Sequence, residues 1–106
     1  MNPPKLSELI AKGSKLWPQA FKAWSTDSND ACALETAIRV LWPDSYKMHR
    51  DVGDLTTKLE IRDFKLECPI CQNNRPRGVG SFLVHLNDSH SWPRERIADF
   101  LAKKGY

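Results

Sequence analysis

Four residues have types and spacing that could do chemistry together: Cys68, Cys71, His85 and His90, arranged C-x2-C-x13-H-x4-H. Two thiolates and two imidazoles suit a tetrahedral zinc ion, and the spacing meets the C-x2-4-C and H-x3-5-H limits of such sites. Pro69 between the cysteines favours a tight turn that aims both sulfurs at one Zn2+, and two thiolates neutralise its charge. The histidines are the weaker half. On an ideal α-helix, positions five apart point roughly 140° apart, so His90 joins only if the helix loosens or ends there. "SHSWP" supplies an ending, because Pro93 disfavours helix at Trp92.

Four protein ligands close a zinc site, whereas a catalytic zinc keeps one position open for water. The chain also lacks a glycine-rich phosphate loop, a nucleophile elbow and H-E-x-x-H. Asn87 and Asp88, between the histidines, read as capping or surface residues. The expectation is a structural zinc and no enzyme activity. Base reading by a ββα finger uses helix positions −1, 3 and 6, which here are Gly78, Ser81 and Val84. None has the bidentate groups that discriminate bases. The segment "QNNRPRGVG" offers no core aromatic, although Phe82 fills the usual position three before the first histidine. Such a module must complete its core from neighbours, expected to be Leu59, Ile61 and Leu66 and the last helix.

Arg75 and Arg77, with Lys103 and Lys104, are candidate phosphate contacts. Arg94, Arg96 and Lys103 are candidate partner contacts on the last helix. His49 has no partner in sequence and reads as a surface residue. Cys32 lies in an apolar helical pattern and reads as a small buried hydrophobe.

The elements that must position these residues are short. "PPKLSELIAKG" predicts a helix with Leu6, Leu9 and Ile10 on one face and a stop at Gly13. Trp17, Phe21 and Trp24 recur at helical intervals. "DSND" offers caps for a buried helix over "ACALETAIRVL". "WPDSYKMHRDVGD" reads as a loop around Pro43 and Gly53. "TKLEIRDFKLEC" alternates apolar and charged residues with one slip, predicting a strand or hairpin with a bulge. "SFLVHLNDSH" and "PRERIADFLAKKG" predict two final helices, the second started by Pro93 and ended by Gly105. Trp-Pro at 17–18, 42–43 and 92–93 marks element boundaries. The predicted fold is mainly α (α+β): a small single domain over 1–106, with four to five short helices, a short strand or hairpin and a zinc knuckle. Its N-terminal part, 1–56, is helical; 57–106 carries the strand and the Cys2His2 site.

At 106 residues, a modest core gains from a structural metal. No apolar run reaches the roughly 20 residues of a membrane span. The N-terminus lacks the apolar centre of a secretory signal. Three cysteines, two of them in C-x2-C, argue for a reducing compartment; the expected location is cytoplasmic. The net charge of +3 lies in the C-terminal part: residues 1–64 carry nine cations and nine anions, residues 65–106 seven and four. That excess makes a weak footprint for nucleic acid.

The run "CPIC…VHLNDSHSWPRERIADFL" resembles a pattern in small phage- and prophage-encoded proteins, with "AKGSKLWPQAF" and "CALETAI" similar to the approach to it. The likeness covers roughly half the chain. It implies a bacteriophage accessory protein in the bacterial host cytoplasm and transfers no catalytic residue. Pro93 stands where that pattern has a serine or threonine cap, and no glycine follows the second cysteine. The function expected is binding of a host or phage protein, with inhibition of a host system as one form. The alternative is a nucleic-acid-binding, zinc-finger-like module contacting phosphates.

Overall fold

In α1, Leu6–Ser14, the apolar residues Leu6, Leu9 and Ile10 fall on one face and are buried. A computed structural model describes residues 3–21, 31–43, 51–71 and 75–106, and places four further α-helices after α1. These are α2, Ala33–Leu41; α3, Val52–Leu59; α4, Val79–Val84; and α5, Arg94–Lys103. A π-helical turn, His85–Ser89, continues α4.

Helix α1 packs against both α2 and α5. Gly13 sets the approach to α2: a Cβ there would stand 2.3 Å from Thr36 Cγ2 and 3.0 Å from Val40 Cγ2. This glycine is a contact point inside the helix rather than its stop. Helix α2 begins at Cys32, whose sulfur accepts a hydrogen bond from the Glu35 N–H at 3.5 Å. Cys32 is buried as expected, and burial raises its thiol pKa. Helix α5 ends before Gly105, which takes φ +90°, a conformation glycine adopts without the Cβ penalty. The chain then folds back: the Ser7 N–H at the start of α1 donates to the Tyr106 main-chain oxygen at 3.0 Å.

The helical reading is correct for α1, α2, α4 and α5, but three expectations change. The expected loop through Gly53 contains the start of α3. Asp51 caps that helix, accepting from Asp54 N–H at 2.9 Å while the Asp54 side chain accepts from Asp51 N–H at 3.0 Å. This reciprocal box satisfies two orphan donors, and Gly53 occupies an N-terminal position where its N–H lacks an intrahelical partner anyway. The strand or hairpin is not found, and no strand is present among the described residues. Thr57–Leu59 belong to α3, Glu60 ends it in the left-handed conformation at φ 59°, and only an isolated antiparallel bridge joins Leu66 to Arg77. The apparent alternation combined the last turn of a helix, ending at Leu59, with a turn and a short extended segment. Residues 15–21 are not helical either, with Gln19 bridging Ala31. Trp24, His49 and the "DSND" caps at 27–30 lie outside the described residues.

Residues from α1 to α5 and the π turn share one buried apolar cluster. Phe82, fully buried, meets Phe64 edge-on at 5.7 Å and stacks with Phe100 at 5.8 Å. Phe64 thus supplies the aromatic missing between Cys71 and α4, and α5 supplies the other wall.

Candidate metal centre

The first pair of site residues comes from the segment after the bridge. Leu66 exchanges two backbone hydrogen bonds with Arg77, at 3.1 and 2.9 Å, and this closes the loop that carries the cysteines. Within that loop, the N–H groups of Ile70 and Cys71 donate to Cys68 Sγ at 3.4 and 3.5 Å. Cys68 is 3% exposed and Cys71 is half-buried.

The second pair comes from the π turn. Its i→i+5 repeat brings residues five apart nearly into line, so His85 and His90 face one point. Their rings lie 4.7 Å apart at 88°, with Nε2 atoms separated by 3.1 Å. Ser91, at φ 53°, then reverses the chain, and the Trp92 N–H returns to the Leu86 carbonyl at 3.1 Å. The helix therefore loosens and ends at the second histidine, as the x4 spacing required.

The two pairs converge. Cys71 Sγ lies 3.3 Å from His85 Nε2 and 3.4 Å from His90 Nε2, and Cys68 Sγ lies 3.4 Å from His90 Nε2. All four ligand atoms fall within 4.8 Å of one another. They sit close together and could bind one metal ion. Desolvation lowers the His85 pKa, with help from Arg77 and His90, and a neutral imidazole is the ligand form. Desolvation, then the neighbouring Cys68, raises the Cys71 pKa; a cation at this point would oppose that shift. No family model, curated protein or solved structure matches the chain.

Behind the site lies a polar network that the sequence reading missed. Asn87, assigned there to a cap or the surface, is fully buried. Its Oδ1 accepts from Gln19 Nε2 at 2.7 Å and from the Ala33 N–H at 3.1 Å. Its Nδ2 donates to the Ala20 carbonyl at 2.8 Å and to Asp88 Oδ1 at 2.7 Å. Gln19 also donates to the Trp92 carbonyl at 2.8 Å and accepts from the Arg94 N–H at 3.2 Å. The signal for a buried asparagine was present, since Asn87 follows Leu83 by four on the apolar face that also holds Phe82 and Leu86.

The candidate contact residues divide. Arg94 is a correction: it is 3% exposed and turned into the core, so its guanidinium meets no partner. It donates to Thr36 Oγ1 at 2.8 Å, to the Ala31 carbonyl at 3.3 Å, and to the carbonyls of Ser14 and Trp17. Arg77 is half-buried and donates to Ser81 Oγ at 3.2 Å. Arg75, Arg96, Lys103 and Lys104 are exposed, with Arg96 over the Trp92 ring at 3.9 Å and Lys104 over Phe100 at 5.6 Å. Among the described residues, no helix is long and apolar enough to cross a membrane.

Proposed function

We propose that this chain is a non-enzymatic accessory protein, stabilised by one structural zinc ion, that works by binding another protein. The convergence of two sulfurs and two imidazole nitrogens carries the zinc assignment. A tetrahedral zinc with bonds near 2.3 Å to sulfur and 2.0–2.1 Å to nitrogen has ligand–ligand edges of roughly 3.3–3.8 Å. Four of the six edges, at 3.1–3.4 Å, need only slight expansion to meet them, and all six lie within 4.8 Å. With four protein donors the coordination sphere is closed, which suits a clip rather than a hydrolytic centre.

Protein binding is supported by large apolar side chains left at the surface, including Leu16, Phe21, Val52 and Ile70. The likeness of the C-terminal run to phage- and prophage-encoded proteins supports a phage accessory role in the host cytoplasm, with a host or phage protein as partner. Two measurements test this reading. Metal analysis of protein purified without added zinc is expected to give one zinc per chain; metal-free protein of equal stability overturns the clip. Affinity purification from bacterial lysate is expected to retain one protein in stoichiometric amount. Retention of nucleic acid alone, released by salt, overturns protein binding.

A further inference from the structure

Between α3 and the start of α4 the surface opens into a groove of about 320 Å³. Its apolar lining comes from Val52, Ile61, Phe64 and Val79. Phe64 and Val79 are buried beneath it, while Val52 stands 38% exposed at its edge. Arg62 and Lys65 line it as exposed cations, and no acidic side chain is among its described lining residues. The nearby carboxylates of Asp51 and Asp54 are engaged with each other's backbone N–H groups, and those of Glu60 and Asp63 line a separate pocket that shares Arg62.

Gly78, which also lines the groove, is the more telling residue. Its φ of −71° and ψ of 175° are open to any amino acid, and a Cβ there would meet nothing within 4 Å. Gly78 is the N-cap of α4, a position that Ser, Thr, Asn or Asp would fill at least as well, so neither backbone conformation nor internal packing excludes a side chain here. The absence of a side chain keeps the groove open.

We propose that this groove receives an acidic segment of a partner protein, one apolar side chain of which is anchored over Phe64 and Val79 while its carboxylates meet Arg62 and Lys65. The proposal rests on the protein-binding reading above and names the surface and the partner's chemistry. A second copy of the chain fits poorly, because a two-fold contact through this patch would set Arg62 and Lys65 against the same cations. Nucleic acid fits poorly too, since an apolar floor with two cations neutralises few phosphates.

The test uses the full chain as purified, titrated with three nine-residue peptides and followed by amide chemical shifts. One peptide has a central leucine flanked by Asp and Glu, one has the same leucine flanked by lysines, and one has serine at the centre of the acidic sequence. The acidic leucine peptide is expected to bind most tightly, with shifts centred on Val52, Ile61, Gly78 and Gly80. Gly78→Phe, which fills the groove from a position where a Cβ has room, and the double variant Arg62→Glu/Lys65→Glu are each expected to weaken it at least tenfold. Both are expected to keep the metal content of the parent, and Gly78→Phe, at the N-cap of α4, is expected to lower the melting temperature by at most about 8 °C.

Equal binding of the lysine-flanked peptide overturns the proposal, as do shifts centred elsewhere, unchanged affinity in both variants, or no binding at millimolar peptide. A peptide-independent rise in mass with shifts in this groove shows a second copy as occupant and also overturns it. Affinity purification with the same two variants separates this proposal from the broader one. Partner capture at the parent level removes the groove and leaves protein binding standing; failure of the parent to capture any protein removes protein binding, while the peptide titration still judges the groove.

Discussion

Asn87 uses both acceptor lone pairs and both amide protons, a complete set for a buried carboxamide. Its orientation is fixed by its neighbours, since reversing Oδ1 and Nδ2 would set an NH2 group against the Ala33 N–H. Asn87→Asp keeps the shape and removes both donors, turning a carboxylate toward the Ala20 carbonyl and Asp88. Buried unsatisfied polar groups cost about 1–3 kcal/mol each, so the variant is expected to lose roughly 2–4 kcal/mol in urea unfolding with its metal retained. Arg94 obeys the same logic with a charge. Desolvation lowers its pKa, but the guanidinium is anchored by three backbone carbonyls and Thr36. Arg94→Lys cannot reach them all with one ammonium and is expected to destabilise by about 2 kcal/mol or more, while Lys103→Arg at the surface stays within about 0.5 kcal/mol. His85 adds a pH dependence. Its folded pKa lies below the ordinary 6.5, so below pH 6.5 the unfolded chain takes up the proton more readily. Stability of the metal-free protein is therefore expected to be fully present above pH 6.5 and to fall as pH drops toward the folded value. Urea midpoints in His85→Gln should lose that part of the dependence.

At the scale of elements, the π turn is where two demands meet. The inward face of His85–Ser89 must present Asn87 to the N-terminal half while its ends present His85 and His90 to the cysteines. An α-helix of the same sequence would separate the histidines by roughly 140°; widening by one residue per turn brings them together. Held from both sides, the turn is expected to loosen when either side is lost. Chelation should speed hydrogen exchange at amides 85–92 and also at Ala33, whose N–H is bonded to Asn87; protection unchanged at Ala33 would show the two sides to be independent. This turn also explains what could be read beforehand. The four clustered residues were legible because metal sites demand particular ligand types and spacings, which the sequence itself displays. The π geometry was not, because nothing local encodes an i→i+5 turn that tertiary contacts impose. Helix α3 was hidden by Gly53, which is harmless at the second helical position, and its Asp51–Asp54 box was the overlooked signal. The charge of Arg94 points to solvent in the sequence, whereas its position beside Ile97 and Ala98 puts it on the buried face of α5.

Over the whole molecule, the chain closes on itself twice. The Ser7 N–H meets the Tyr106 main-chain oxygen, and Gln19, Asn87 and Arg94 tie α1 and α2 to the segment that carries the histidines. Its radius of gyration, 12.8 Å, is near the roughly 13 Å of a folded chain this long, so few residues are far from either tie. The metal site should then stabilise all helices together rather than the C-terminal ones alone. In a chain of this size each 1 kcal/mol lowers the melting temperature by roughly 4–8 °C. Cys68→Ser removes a ligand whose sulfur is buried and bonded by two backbone N–H groups. A loss of only about 2 kcal/mol would lower the transition by roughly 8–16 °C, and loss of the metal is expected to exceed that. The discriminating readout is residue-resolved hydrogen exchange in Cys68→Ser. Ile10 in α1, Ile38 in α2 and Leu101 in α5 should lose protection by the same factor, because they share one core cluster. If Leu101 alone is deprotected while Ile10 and Ile38 are untouched, the ties through Asn87 and Arg94 do not transmit the metal's stabilisation, and the clip fastens only the C-terminal helices.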